Sequence, residues 1–330
     1  MNLLETFERV AFEAIKRFPN CDDATIELLN HSENSTYLVK QADGTKSILR
    51  VCRPGYHAKE EILGEITWLE SIAKNTPIEV AMPILGKDGE HVQTLTLDGF
   101  DQPFNCVMFE FLEGEMPNVD DEVKLANVFE KIGEITAHLH QLSIDRWDTF
   151  QSNIRRHTWD YETILGEVPK WGRWQDGQGI TPERAELYQQ VSDVIRERLL
   201  RFGKGRERFG LIHADLRHAN LLVDKDRVKL IDFDDCGYGW YLHDLAASLT
   251  FIEDRPYVPD LVASWLKGYR KVRPLSEEEE REIPTFIMMR RLQMIAWIGS
   301  RDNETTRELG SKYTEDTDPM VVKYLETYGK

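Results

Sequence analysis

The hydrophobic period of this chain changes once along its length, and that change constrains the architecture more than any other feature. Up to about residue 112 the apolar residues fall in short β-rich runs: ATIELL, STYLVKQ, KSILRVC, QTLTL and FNCVMFEFL. Asp43-Gly44, between STYLVKQA and TKSILRV, predicts a hairpin. One helical stretch, AKEEILGEITWLESIAK, interrupts the strands. An opening helix over residues 3–18 gathers Leu3, Phe7, Val10, Ala11, Ala14 and Phe18 on one side. From Asp121 onward the period is helical, with a long helix expected over residues 121–142 and another from about Pro182 to Phe202. Residues 150–180 are irregular, and Trp159, Trp171, Trp174 and the later Trp297 read as packing of a core or a lid. The expected fold class is α+β: a small antiparallel-sheet lobe with one inserted helix, then a larger, mainly helical lobe. The expected division is residues 1–112 and 113–330, with the joint at FLEGEMPN.

A chain of 330 residues with 41% hydrophobic content can bury two cores of this kind. Its net charge of −17, with no long basic stretch, argues against nucleic acid or an anionic membrane as partner. The most apolar late segment, FIMMRRLQMIAWIG, is broken by Arg290 and Arg291 and cannot span a bilayer. That arginine pair reads as ordinary surface charge, or as a face toward a bound anion. Cys21, Cys52, Cys106 and Cys236 form no C-x-x-C pair, and the opening stretch has neither the apolar core nor the cleavage site of a signal peptide. Reduced thiols and a cytoplasmic setting are expected.

The residues that carry chemistry are concentrated in His213-Ala214-Asp215-Leu216-Arg217-His218-Ala219-Asn220, followed after a further apolar run by Ile231-Asp232-Phe233-Asp234-Asp235. Phosphoryl transfer asks a protein for an aligned nucleophile and for cations to neutralise phosphate charge. Asp215 can accept or orient a hydroxyl proton, and Asn220 and Asp232 offer the hard oxygen atoms that suit Mg²⁺. The runs LLVD and VKLI between them look like a hairpin that would hold the two oxygen donors close together. The plainer reading is a capped turn and a solvated acidic loop. An asparagine five residues past Asp215, with a second carboxylate after a β-run, weighs against it.

HADLRHAN followed by IDFDD resembles the catalytic and metal loops of protein-kinase-like enzymes. More narrowly, it is similar to the aminoglycoside phosphotransferase and choline kinase superfamily, nearest to the branch of stress-response kinase A and type II homoserine kinase. The resemblance implies a bilobal protein-kinase-like fold with residues 1–112 binding nucleotide. It implies a kinase using ATP and Mg²⁺, with Asp215 as catalytic base and Asn220 and Asp232 as metal ligands. His213 would be structural, and Asp244, in YLHDLA, would brace the catalytic loop through backbone hydrogen bonds; an N-cap near Leu245 is the alternative. Arg50 stands where such enzymes place a phosphate-binding lysine, and its always-charged fork can grip phosphate instead. Its partner would be Glu65, or Glu61 one turn earlier; an unpaired, exposed Glu65 is the alternative. In place of a glycine-rich loop the chain has HSENSTYLV, with Ser32, Glu33, Asn34 and Ser35 at its tip, open to a phosphate-binding or an ordinary hairpin reading. Phe109-Glu110-Phe111-Leu112 resembles the adenine-binding hinge, to which Glu110 and Leu112 would lend main-chain groups.

Asp234 and Asp235, with Tyr238, Trp240 and Tyr241, are candidates for the acceptor site, since acidic and aromatic side chains can hold an ammonium group; packing is the alternative. The expected acceptor is a small-molecule hydroxyl: an amino alcohol, a homoserine-like amino acid, an aminoglycoside-like sugar or a cofactor precursor. A Ser/Thr protein kinase of the stress-response type is the second expectation. A silent nucleotide-binding platform has no chemical need for all three of Asp215, Asn220 and Asp232, and a metal-dependent phosphohydrolase would want further ligands.

Overall fold

The computed structural model describes residues 3–32, 34–117, 122–225 and 227–329, and of Leu3 the backbone alone. The chain forms two compact units. The first comprises Met1–Glu115 with two later segments, Thr149–Arg156 and Leu222–Asp234; the second is made of Met116–Asp148, His157–Leu221 and Asp235–Lys330.

The first unit is built on an antiparallel sheet. Strands Thr25–His31, Ser35–Lys40 and Lys46–Val51 pair in sequence, as alternating β-branched and polar residues dictate. Lys46–Val51 pairs with Phe104–Glu110, which also binds Pro83–Ile84 and Val92–Leu95. The hairpin at Asp43-Gly44 closes as expected: Gly44 takes the left-handed φ of 88° and Asp43 Oδ1 accepts from the Thr45 N–H at 2.9 Å. Helix Leu3–Ile15 covers the sheet with Phe7, Val10, Ala11 and Ala14, all buried. Helix Lys59–Asn75 buries Ile62, Glu65, Ile66, Trp68, Leu69 and Ile72. A three-stranded sheet adds Leu221–Asp224 and Arg227–Leu230, the latter parallel to Glu79–Val80.

The second unit is helical around a small sheet in which Gly237–Trp240 runs between Thr158–Trp159 and Phe209–Ile212. The long helices are Glu122–Asp145, Pro182–Phe202 and Glu277–Ser300; Asp121, the expected first residue of one of them, lies outside the described residues. Helices Glu122–Asp145 and Val258–Tyr269 meet backbone to backbone. A Cβ on Gly133 would stand 2.0 Å from the Trp265 carbonyl oxygen, and one on Gly268 would stand 1.8 Å from that of Glu130. Trp159, Trp171 and Trp174 are buried in the core of this unit. Among the described residues, no helix is long and apolar enough to cross a membrane.

Candidate active site

Strand Phe209–Ile212 delivers the chain into the loop His213–Asn220, and a buried carboxylate shapes that loop. Asp244, fully buried in the short helix Leu242–Ser248, accepts from the N–H of His213 at 3.1 Å and of Ala214 at 2.7 Å. Ala214 has a φ of 67°, a conformation that costs a non-glycine residue energy and that these two bonds maintain. The side chain of Asp244 is thus spent on the loop rather than on a helix cap. His140 Nε2 lies 3.1 Å from Asp244 and Nδ1 lies 2.9 Å from the Tyr269 hydroxyl, extending the brace through two helices. His213 is buried too, and its Nδ1 lies 3.3 Å from the Asp215 N–H.

Asp215 is the centre of this unit's charge arrangement. Arg217 Nε donates to its two oxygens at 3.1 and 3.2 Å, Arg290 Nη2 to Oδ1 at 3.0 Å, and Asn220 Nδ2 to Oδ2 at 3.0 Å. Burial alone would raise this carboxyl, but Arg217 and Arg290 outweigh it and hold the group below the usual carboxylate range. A carboxylate ionised at neutral pH and aimed by three donors can orient a hydroxyl and take its proton as charge develops. Asn220 also donates to the Asp215 carbonyl at 2.7 Å, so its amide nitrogen is committed to the loop.

Arg290 corrects the surface-charge reading. It is 1% exposed and spends its guanidinium on Thr250 Oγ1 at 3.0 Å, the Ala214 carbonyl, Gln293 and Asp215. Arg291 is equally buried, on Glu253 at 2.9 Å, Thr317 and the Tyr313 carbonyl. The signal for both was present: two charges within an otherwise apolar helical run must be paired if that run is core.

The first unit holds a second charged cluster. Arg50 meets Glu65 fork to fork, with Nη1 to Oε1 at 2.9 Å and Nη2 to Oε2 at 2.7 Å, and Glu65 is 1% exposed. Glu61 instead caps the helix through the Ala58 N–H at 3.0 Å. Arg50 also lies 3.4 Å from Asp234 Oδ1, and its Nε is a buried donor that meets no acceptor among the described residues. Asp234, offered above as an acceptor-site residue, is instead a buried partner of Arg50. His57 Nε2 stands 3.6 Å from it, Asn34 Nδ2 donates to it at 2.7 Å, and Arg156 donates to its carbonyl. Burial would raise its carboxyl, yet Arg50, then His57, hold it far below the ordinary range. Asn34 is therefore spent as well, its Oδ1 accepting from the Arg53 N–H at 3.0 Å. Ser32 is exposed at the loop tip, and Glu33 lies outside the described residues. Asp232 is exposed with a left-handed φ of 63°. The Glu110 N–H donates to the Met82 carbonyl at 2.8 Å, and Leu112 follows the strand half-buried.

The aromatic half of the expected acceptor site is core. Trp240 is 2% exposed, its indole N–H bonded to the Gly203 carbonyl at 2.6 Å and its ring between Phe209 and Phe286. Tyr238 is buried in the same strand, and Tyr241 stacks on His140 at 4.4 Å. All four positions of Gly237–Trp240 are buried because the strand has a neighbour on each side and helices over it. Asp235 stays half-buried, its carbonyl accepting from the Trp159 indole at 2.7 Å.

A model of the phosphotransferase enzyme family known as APH matches residues 25–275, from the first sheet strand past the loops that carry Asp215 and Asp232. The chain belongs to this phosphotransferase family. The solved structure of a microcompartment-associated aminopropanol kinase is 36% identical, superposes with a TM-score of 0.88, and is matched over 98% of both chains. The amicoumacin kinase of Bacillus subtilis (strain 168) is 26% identical over 294 residues, 86% of this chain and 82% of the relative. The structure of amicoumacin kinase hAmiN in complex with AMP-PNP, Ca²⁺ and Ami shares the fold, with a TM-score of 0.76 at 21% identity over 97% of this chain and 93% of that one. The fold is α+β and protein-kinase-like, and this family member is an enzyme: a kinase.

Proposed function

We propose that the chain transfers the γ-phosphoryl group of Mg²⁺-bound ATP to the hydroxyl group of a small amino alcohol. The observation that carries the acceptor is the 36% identity, spanning 98% of both chains, with an aminopropanol kinase. The site chemistry supports the reaction. Asp215 accepts the hydroxyl proton while the acceptor oxygen forms its bond to the γ-phosphorus and the bond to the β,γ-bridging oxygen breaks. Arg50, set by Glu65, grips nucleotide phosphate, and its unmatched Nε is a donor suited to a phosphate oxygen. Asn220, with its amide nitrogen committed to Asp215, and the exposed Asp232 each offer a hard oxygen atom of the kind that suits a divalent cation. When bound, that cation neutralises phosphate charge. Glu110 and Leu112 lie on the segment assigned to the adenine. Four buried, unbridged cysteines suit a reducing, cytoplasmic setting.

The test is ATP consumption with a panel of acceptors: 1-amino-2-propanol, ethanolamine, homoserine, an aminoglycoside and a generic protein substrate. Turnover of an amino alcohol above the rest, abolished in Asp215→Ala with nucleotide binding intact, is the expected result. Preference for the protein substrate, or undiminished turnover by the variant, would overturn the proposal.

A further inference from the structure

The carboxylate of Asp215 accepts from Arg217, Arg290 and Asn220, and the two arginines differ in exposure. Arg290 is 1% exposed and locked by four contacts; Arg217 is 31% exposed along its side chain. Arg217 lies between two surfaces, with its Nε on the carboxylate at 3.1 Å and its guanidinium carbon 5.8 Å from the centre of the Phe251 ring. An anionic oxygen pair facing an aromatic ring is a seat for a cation.

Among the described residues, Phe251 is also the bulkiest in a left-handed conformation, at a φ of 73°. Such strain persists where the surroundings over-determine it, and often at ligand clamps. Here the surroundings are adjacent residues of one helix. Arg290 holds Thr250 on one side of Phe251, and Arg291 holds Glu253 on the other. Because Arg290 also holds Asp215, a single turn of helix Glu277–Ser300 sets both walls of the seat. The Phe251 ring is half-buried and supported by Trp297 and Tyr313 at 6.1 and 6.0 Å.

We infer that this seat receives the ammonium group of the acceptor, and that Arg217 yields it when the acceptor binds. The inference rests on the amino-alcohol reading above and makes it specific. In a vicinal amino alcohol the ammonium is one carbon–carbon bond from the carbon bearing the hydroxyl. A hydroxyl directed at Asp215 therefore brings the ammonium to the place the guanidinium holds. Exchange of one cation for another preserves the local charge balance, whereas a third positive group beside Arg217 and Arg290 would be repelled. The seat accordingly selects against neutral diols.

The test compares 1-amino-2-propanol as substrate with 1,2-propanediol, its neutral isostere, as competitive inhibitor. In Phe251→Leu the KM for the amino alcohol rises by about 2- to 30-fold, the span of a cation–π contact from exposed to desolvated sites. The inhibition constant of the diol and the KM for ATP stay in place. Phe251→Tyr, which keeps an aromatic face, recovers most of the discrimination, and Arg217→Gln lowers the KM for the amino alcohol by emptying the seat. Equal changes for amine and diol in Phe251→Leu, with wild-type enzyme phosphorylating the amine, overturn the inference and leave the proposed function standing. Wild-type enzyme that phosphorylates no amino alcohol overturns both.

Discussion

The two units each contain a buried arginine–carboxylate cluster, and the clusters are opposites. In the first unit one cation, Arg50, serves two carboxylates, Glu65 and Asp234. In the second, one carboxylate, Asp215, serves two cations, Arg217 and Arg290. The environment responds in kind. Although burial opposes the charge of Arg50, Glu65 and Asp234 raise its affinity for a proton well above the ordinary, whereas burial lowers that of Arg290. The first hub is held cationic by its two carboxylates. The second hub is held anionic by its two arginines.

The largest expected consequence is catalytic. Asp215→Ala should lower kcat by about 10²- to 10⁴-fold in a steady-state assay, and it leaves Arg290 buried on its neutral partners Thr250, the Ala214 carbonyl and Gln293. Next comes the opposite pattern. Arg50→Met removes the cation that both carboxylates share and leaves Glu65 buried without its partner, while His57 and Arg156 stay at Asp234; this should cost about 3–5 kcal/mol in urea unfolding. An Arg50→Met variant as stable as the wild type would contradict the place of Arg50 as the cation that both carboxylates share.

A smaller effect separates the units by pH. Burial opposes protonation of His57, but Asp234 and Glu61 outweigh it and raise the group above 6.5. Its stabilising contribution is fully present below 6.5 and is lost as pH rises through the folded value. His243 is fully buried with no hydrogen-bond partner for either ring nitrogen among the described residues, and burial pushes it down to about 3. Its neutral form is required by the fold, so stability falls as pH drops from 6.5 toward 3. The unfolding midpoint of His243→Leu should therefore lose less than wild type on the acid side, by an amount on the order of a few kcal/mol near pH 3. That of His57→Gln should lose less on the alkaline side. A His243 variant with an unchanged acid limb would contradict the assignment. The smallest change is expected from Asn34→Ala, about 2 kcal/mol for the loss of two hydrogen bonds, one to Asp234 and one from the Arg53 N–H, measured by the same unfolding.

What could be read from the sequence was local. The helix Pro182–Phe202 carries its own start signals, Thr181 as cap and Pro182 in the first turn. The spacing of Asp215 and Asn220 within one loop needed no tertiary knowledge, and the asparagine does reach the aspartate. The pairing of Arg50 with Glu65 spans fifteen residues, close enough for a strand-then-helix argument to single it out beside Glu61. Arg290 reaches Asp215 across 75 residues, and no pattern in FIMMRR announces which carboxylate it serves. Asp234 and Trp240 were placed by their nearness in sequence to Asp232. The chain after Asp232 turns inward, so proximity to the motif meant burial rather than access.

The glycine contact between helices Glu122–Asp145 and Val258–Tyr269 has a bearing on the chemistry without carrying any charge. Gly133 lies two turns before His140, and Gly268 immediately precedes Tyr269. The pair that touches the brace of the Asp215 loop thus hangs from a close approach of two backbones. The spacing of those helices acts as a gauge block, one that sets how far Asp244 reaches toward Ala214. A single added methyl group would thicken the gauge, and the error would be read out at the loop that holds Asp215.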